Sequence, residues 1–373
     1  MAQEEHKSGV LETLMHGLVA GVAEGMVREE EHAPATAVAG YPHLVADIGG
    51  TNARFGLVHG PGQQARQVRK LPVAEHAGPA EAARAYLDAL GADSGGKAPK
   101  PHRAAFAVAT PTRDDRIVLT NSHWNFSRRE VEATLGLEVL LMLNDFEALA
   151  LSLPRLQAAQ LQPIGPLAPF AASAPGEGGT LAVVGPGTGL GVGAVIDSRH
   201  GWIALPGEGG HVTLPAADDF EAALLQWARK EFPHVSAERF LSGIGLPVLY
   251  RAVAGVLGVA DRGLAAEQIV EQGLLPPDAG GDVACERVLD VFCAMLGGVA
   301  ANLALTVGAR NGVYIGGGIA PRLGDYFFRS RFRERFEAKG RFQGYLSQIP
   351  TALIIDTLAA LTGAALAVEQ HGR

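Results

Sequence analysis

Cysteine is almost missing from this chain: Cys285 and Cys293 are the only two in 373 residues. Two thiols cannot build a disulfide framework or a cysteine zinc site. They stand eight apart in the run CERVLDVFC, which reads as a helix, so core packing is their expected role rather than redox chemistry. Basic charge is scarce as well, with 31 Lys and Arg against 39 Asp and Glu and a formal net charge of -8. A nucleic-acid surface needs a basic stripe, so that class of partner is set aside. No apolar run is read as approaching the ~18–20 residues of a membrane span, and no leader peptide is recognised. The reducing cytoplasm, away from any membrane, is the expected setting.

Apolar and small residues are abundant instead. Hydrophobic residues make up 47% and charged residues 19%, which excludes general disorder. At ~150 residues per domain, the length predicts about two domains. Glycine supplies 48 of 373 residues, about 13% against a usual ~7%. It shows neither a collagen period nor a solenoid repeat, so it marks tight turns and places where backbone must come close to a ligand.

Residues 1–40 read as a separate extension. Val10, Leu11, Leu14, Met15, Leu18, Val19, Val22 and Met26 recur at helical spacing, giving one amphipathic helix followed by the linker REEEHAPATAVAG. A partner-docking or membrane-surface helix is the alternative to a plain extension, although its acidic flank is unsuited to anionic lipid.

The body opens with two apolar strands joined by Gly-Gly-Thr-Asn, within 44–58, a hairpin signal. A helix follows over 79–90 and a buried strand over 103–110. Ser127 and Glu130 form a capping box for a helix over 126–136. The strand 137–145 runs into a helix beginning FEALAL. The Ala-, Pro- and Gly-rich stretch 158–179 reads as a surface crossing, and 181–196 is a second strand–glycine turn–strand unit. Helices are expected over 218–231, 237–257, 284–308 and 322–339, a strand over 312–320, and, after TALIID at 351–356, a last apolar helix over 357–370. Alternating strands and helices give an α/β architecture, and the two hairpin-opened units suggest two related halves facing each other.

Chemistry gathers at the glycine turns. In the first, Asp47, Ile48, Gly49, Gly50 and Thr51 put backbone N–H groups where an anion could sit, with an acid beside them. An acid beside a phosphate cradle makes sense if a cation such as Mg²⁺ lies between them; a plain hairpin tip is the alternative. The second turn, Gly187, Thr188 and Gly189, repeats the logic, and the two together suggest opposing jaws on one polyphosphate. Neither is a P-loop or a Rossmann fingerprint. The third cluster, with Gly316 and Gly317, closes a strand and suits the close approach of a flat adenosine. Asn144 and Asp145 end an apolar strand, either as a helix cap or as a cleft carboxylate. Glu208 and His211 sit three apart among glycines without the further ligands a metal needs, which suits polyol recognition better. Glu238 stands at an expected helix start, as a first-turn carboxylate or a third sugar contact.

Taken in order, DIGGTNARF, LNDFEA, GPGTGLGVG, LPGEGGHV, SAERFLSG and YIGGGIAPR closely resemble the bacterial glucokinase family of the actin–hexokinase–sugar kinase superfamily. The resemblance runs from about Leu44 to the C-terminus and leaves residues 1–40 uncovered. It implies a two-domain actin/hexokinase-like (ribonuclease H-like) α/β fold with an interdomain cleft. The small domain would be 41–150, completed by the C-terminal helix 356–373, and the large domain 151–355. It implies ATP-dependent phosphorylation of glucose at the 6-hydroxyl. Asp145 would be the catalytic base, and Asn144, Asp145, Glu208, His211 and Glu238 would hold glucose. Asp47 through Thr51, Gly187 to Gly189, Gly316 and Gly317 would bind ATP, with Asp47 reaching Mg²⁺ through water. Related repressor–kinase proteins carry a cysteine-rich zinc motif that this chain lacks, so no zinc is expected. A homodimer is expected from family habit. The rivals are a kinase for fructose, mannose or glucosamine, and a sugar-sensing regulator of the same fold.

Overall fold

The computed structural model describes residues 38–169 and 178–371. The helix expected within residues 10–26, its linker up to residue 37, and residues 170–177 of the crossing lie outside the described residues. Through the first half run β1 (His43–Ile48), β2 (Asn52–Val58), β3 (Arg66–Pro72), β4 (Arg103–Val108), the short β5 (Arg116–Val118) and β6 (Asn125–Ser127), and β7 (Val139–Asn144). The second half carries β8 (Leu161–Pro163), β9 (Thr180–Pro186), β10 (Leu190–Ser198), β11 (Gly201–Pro206), β12 (Val313–Ile315) and β13 (Thr351–Ile354).

These strands build two large sheets with one plan. The first has the order β3-β2-β1-β4-β7 and the second β11-β10-β9-β12-β13-β8. In each, an antiparallel meander of three strands is followed by two strands parallel to the first. β8 adds an antiparallel edge to the second sheet only. The two related halves expected from the hairpins are therefore present as a repeated topology.

The strand pattern explains how the cores divide. Leu44, Ala46 and Ile48 of β1 point into one core with Phe55, Phe106 and Trp124, while Val45 points into another. Alternate residues of a strand face opposite sides, so a strand buried on both faces reads as a continuous apolar run. Val45, Ala105 and Leu143 of the first sheet share that second core with Val183, Tyr314 and Ala352 of the other sheet. Two helices, Asp145–Ser152 and Ala359–Gln370, contribute to it as well. They pack so closely that a Cβ on Gly363 would overlap the carbonyl of Ala148. The third core lies around the helix Val283–Val307.

That long helix corrects one expectation. It spans 25 residues and is apolar enough to cross a membrane by length and composition, yet 72% of its apolar window is buried inside the protein. Its apolarity comes from being surrounded. Cys285 and Cys293 lie on it, both buried, and burial pushes both thiols up to about 12, as core packing requires.

Other expectations shift at their boundaries. Ser127 caps the helix Arg128–Leu135, accepting from the Glu130 N–H at 3.2 Å. The helix read over 237–257 begins only at Leu246, with Gly243 and Gly245 before it and Pro247 in its first turn. Proline belongs at such a start, where its missing N–H breaks no helical bond. The helix read over 322–339 is three short pieces, Ile319–Arg322, Asp325–Arg329 and Phe332–Glu337, with Gly324 at φ +52 between the first two.

Candidate functional site

β1, β4 and β7 run parallel with Ile48, Val108 and Asn144 in one row, so the first glycine turn and Asp145 emerge at the same sheet end. In open α/β sheets the carboxyl ends of strands are where ligands gather. Asp47 lies directly opposite Arg54 on β2, and their ion pair measures 3.2 Å. Burial raises the Asp47 pKa, and Arg54 works against the shift. Ile48 is buried in the core, so only its backbone is available to a ligand. The Gly49 N–H donates to the Asn52 carbonyl at 3.0 Å, and the Thr51 carbonyl accepts from Val73 at 2.9 Å while the residue stays exposed. A Cβ on Gly50 would stand 2.6 Å from the Asn121 carbonyl, so protein packing demands this glycine.

The cap duty falls on Asn144. Its Oδ1 accepts from the Phe146 N–H at 2.9 Å, and its own N–H donates to Glu147 Oε2 at 3.3 Å. Asp145 is the first residue inside the helix and not its cap. Burial pushes its carboxyl up to about 6; the bond from the Phe146 N–H to its Oδ1 opposes that shift, and the negative charge of Asp47 adds to it. The two aspartates thus feel each other. A divalent cation held by one carboxylate, water and phosphate oxygens would relieve that repulsion, so the residues present fit Mg²⁺. Among the described residues no group of three or more His, Cys, Asp or Glu is placed to hold a metal ion by itself.

The second turn is held from behind. Gly187 donates to the Gly189 carbonyl at 2.8 Å, and a Cβ on Gly187 would meet nothing within 4 Å. Thr188 is exposed. Glu238 is not at a helix start; it lies in the irregular segment before Leu246. Its Oε2 accepts from the Leu190 N–H at 2.9 Å, and its own N–H donates to the Gly210 carbonyl at 2.9 Å. His211 Nδ1 is 3.9 Å from its other oxygen. The Gly243 N–H reaches the Gly187 carbonyl at 2.8 Å, and the Ile244 N–H the Thr188 carbonyl at 3.4 Å. Glu208 is exposed, its carbonyl accepting from the His211 N–H at 3.0 Å. Glu238, His211 and the second turn are therefore one assembly.

The third cluster joins it through the Gly316 N–H, which donates to the Val184 carbonyl at 3.0 Å. A Cβ on Gly316 would stand 2.7 Å from the Leu149 side chain, and one on Gly317 (φ +75) would overlap the Pro186 carbonyl. Gly318 instead borders a cavity of about 540 Å³, lined also by Thr188, Gly243, Leu246, Val270 and Arg322. Sequence reasoning missed this wall. Its helix, Ala266–Leu274, buries only Ile269 and Gly273, too few apolar positions to stand out. Phe146, Leu190 and Asn121 were missed too, because each acts through backbone or shape rather than through a reactive group.

Comparison with protein families matches residues 44–371 to the family Glucokinase. The chain is 45% identical over 335 residues to a glucokinase of Neisseria meningitidis serogroup C, covering 90% of this chain and 97% of that one. Among solved structures, a glucokinase from an Antarctic psychrotroph superposes with a TM-score of 0.78 at 37% identity, covering 88% of this chain and 98% of that one. A ROK family glucokinase from Streptomyces griseus, solved with glucose and AMPPNP, shares the fold with a TM-score of 0.53 at 20% identity, over 88% and 100% of the two chains.

Proposed function

This chain belongs to the glucokinase family, and from that membership we propose which of its residues carry the reaction. The activity is phosphoryl transfer from ATP to glucose, giving glucose 6-phosphate. Such transfers pass through a loose transition state, so the protein mainly positions groups and balances charge. Asp145 takes the proton of the 6-hydroxyl. Its carboxyl, raised to about 6, is still ionised at neutral pH and is more basic than an ordinary aspartate. Asn144, Glu208, His211 and Glu238 hold the other hydroxyls of the sugar. The backbone around Gly49 to Thr51 and Gly187 to Gly189 receives the phosphates, and the cavity beside Gly318 is large enough for a nucleoside. Mg²⁺, held by Asp47 through water, would neutralise phosphate charge there.

The observation that carries this reading is Asp145 itself. It sits at the strand ends, it is freed from capping by Asn144, and it is half-buried beside a second acid. We propose further that a small half, 41–150 with 356–373, and a large half, 151–355, flank the site. A homodimer and a cytoplasmic setting belong to the same proposal. A coupled assay of sugar-dependent ADP release over glucose, fructose, mannose and glucosamine, with and without magnesium, tests the reading. Glucose should give the highest kcat/KM, and release without sugar at an equal rate would overturn it.

A further inference from the structure

Several glycines that look like a phosphate cradle in the sequence face a side chain of the protein instead. A Cβ on Gly191 would overlap the ring of Phe146, and one on Gly185 would stand 2.5 Å from the Phe146 Cζ. On Gly193 it would stand 2.8 Å from the Phe146 carbonyl and 3.2 Å from Ala150. Gly185 pairs with Gly191 across the second hairpin, so the two form a notch in its surface, and the ring fills it. One turn along the same helix, Leu149 occupies the place a Cβ of Gly316 would need. The helix Asp145–Ser152 is thereby keyed into both the second and the third glycine clusters. The same Phe146 offers its N–H to Asn144 Oδ1 and to Asp145 Oδ1, each at 2.9 Å.

We propose that Phe146 is a positioning residue for phosphoryl transfer, its ring in the Gly185–Gly191 notch registering Asp145 against the second phosphate turn. This rests on the assignment of Asp145 as the base. The ring touches no reacting group in this account. It fixes the start of a helix whose first residue must meet the 6-hydroxyl while the hairpin holds the nucleotide. An error of about 1 Å in such an alignment costs up to ~10²-fold in rate. Apolar filling alone would not require the match, because any residue of similar volume would serve the core.

The test is a double-mutant cycle between Phe146→Ala and Gly191→Ala, with Phe146→Leu as the milder variant and melting temperature recorded throughout. Each single change should lower kcat by ~10–100-fold while the glucose KM stays within about threefold. The new methyl of Gly191→Ala needs the space the ring occupies, so the double variant should be no slower than the slower single. Losses that multiply would overturn the proposal, as would a glucose KM rising in step with the fall in kcat. If Phe146→Ala does not fold, Phe146→Leu and Gly191→Ala form the cycle and are read the same way. Should Asp145→Asn turn over at the wild-type rate, the assignment of the base fails. Should it be inactive while Phe146→Leu and Phe146→Ala keep full kcat, only the positioning role fails.

Discussion

Asp47 and Arg54 form the second cross-strand pair from the tip of the first hairpin; at the matching place in the second hairpin stand Gly185 and Gly191. The last pairs enclose four residues in the first hairpin, Gly49 to Asn52, and three in the second, Gly187 to Gly189, and both hairpins open a sheet of the same five-strand plan. One framework has thus been filled in two ways. The first hairpin contributes charge, an acid held by a guanidinium. The second contributes absence of volume, into which Phe146 fits. Asp145 is reached by both, through the charge of Asp47 and through the backbone of its neighbour Phe146. Duplicated folds need not duplicate chemistry, since only the backbone course is shared.

Asp145→Asn removes the charge that the first hairpin acts on, and it should have the largest effect. A loss of about 10²–10⁴ in kcat is expected for removing a general base. The carboxyl is raised from 3.8 to about 6 in the folded protein, so the folded state keeps its proton longer than the unfolded one. Stability therefore falls as pH rises from about 4 through about 6 and stays lower above that. The Asn variant should melt roughly 2–5 °C above wild type at pH 8 and level with it below pH 4. Wild-type kcat should rise through pH 6 as the base loses its proton. A variant with normal melting at both pH values and near-normal turnover would remove Asp145 from the mechanism.

The proposed sugar contacts sharpen the comparison, because among Glu208, His211 and Glu238 it is Glu238 whose carboxylate is hydrogen-bonded to a hairpin, at Leu190. Removing a buried partner of a sugar hydroxyl costs ~1–3 kcal/mol, a rise of roughly 5–150-fold in sugar KM. Glu208→Ala and His211→Ala should raise glucose KM and leave ATP KM nearly alone. Glu238→Ala should raise both, since it also frees the Leu190 N–H behind the second glycine turn, the proposed phosphate site. Equal behaviour of all three in steady-state kinetics would separate Glu238 from that turn.

Smaller still is the contrast between the tips. Gly50→Ala forces Asn121 aside and should lower the melting temperature by a few degrees, at ~1–2 °C per kcal/mol for a chain of this size. Gly187→Ala meets open space, so melting should hold within ~1 °C while ATP KM rises a few-fold. If Gly187→Ala is the more destabilising in thermal melts, the two tips do not differ as described. Deletion of residues 1–40 should do least, leaving kcat and melting unchanged, because the family match begins at residue 44.

The parts of this fold that could be read from sequence were those where burial leaves an apolar run and a turn leaves glycine. β1, β2, β9 and β10 fell where the runs placed them; the strand read over 137–145 is Val139–Asn144, and the one read over 312–320 shrinks to Val313–Ile315 because its glycines leave the sheet. β3, with the sequence RQVRKLP, could not be read, because an edge strand wants charge that discourages further pairing. β8 was absorbed into an irregular crossing, since three residues carry no period. At the site, the residue types were legible and their partners were not. LND announces an acid at a strand end, yet which of Asn144 and Asp145 caps the helix depends on one backbone torsion. SAER promised a helix start, while Gly243, Gly245 and Pro247 delay the helix to Leu246 and free Glu238 to hold Leu190. A glycine shows only that a side chain is excluded. Whether a phosphate or a phenyl ring excludes it is settled by residues far away in the chain.

The near contact of Gly363 with the Ala148 carbonyl bears on the order in which the molecule can be completed. Helix Ala359–Gln370 closes the buried layer shared by β1, β4 and helix Asp145–Ser152. A nascent chain emerging at ~5–20 residues per second therefore displays the apolar underside of its first sheet for at least ~10 s before residue 359 can cover it. During that interval Val45, Ala105 and Leu143 are surfaces that a chaperone can grasp. A ribosome stalled after β13 would hold a first sheet whose strands are all present and whose lining is still wet.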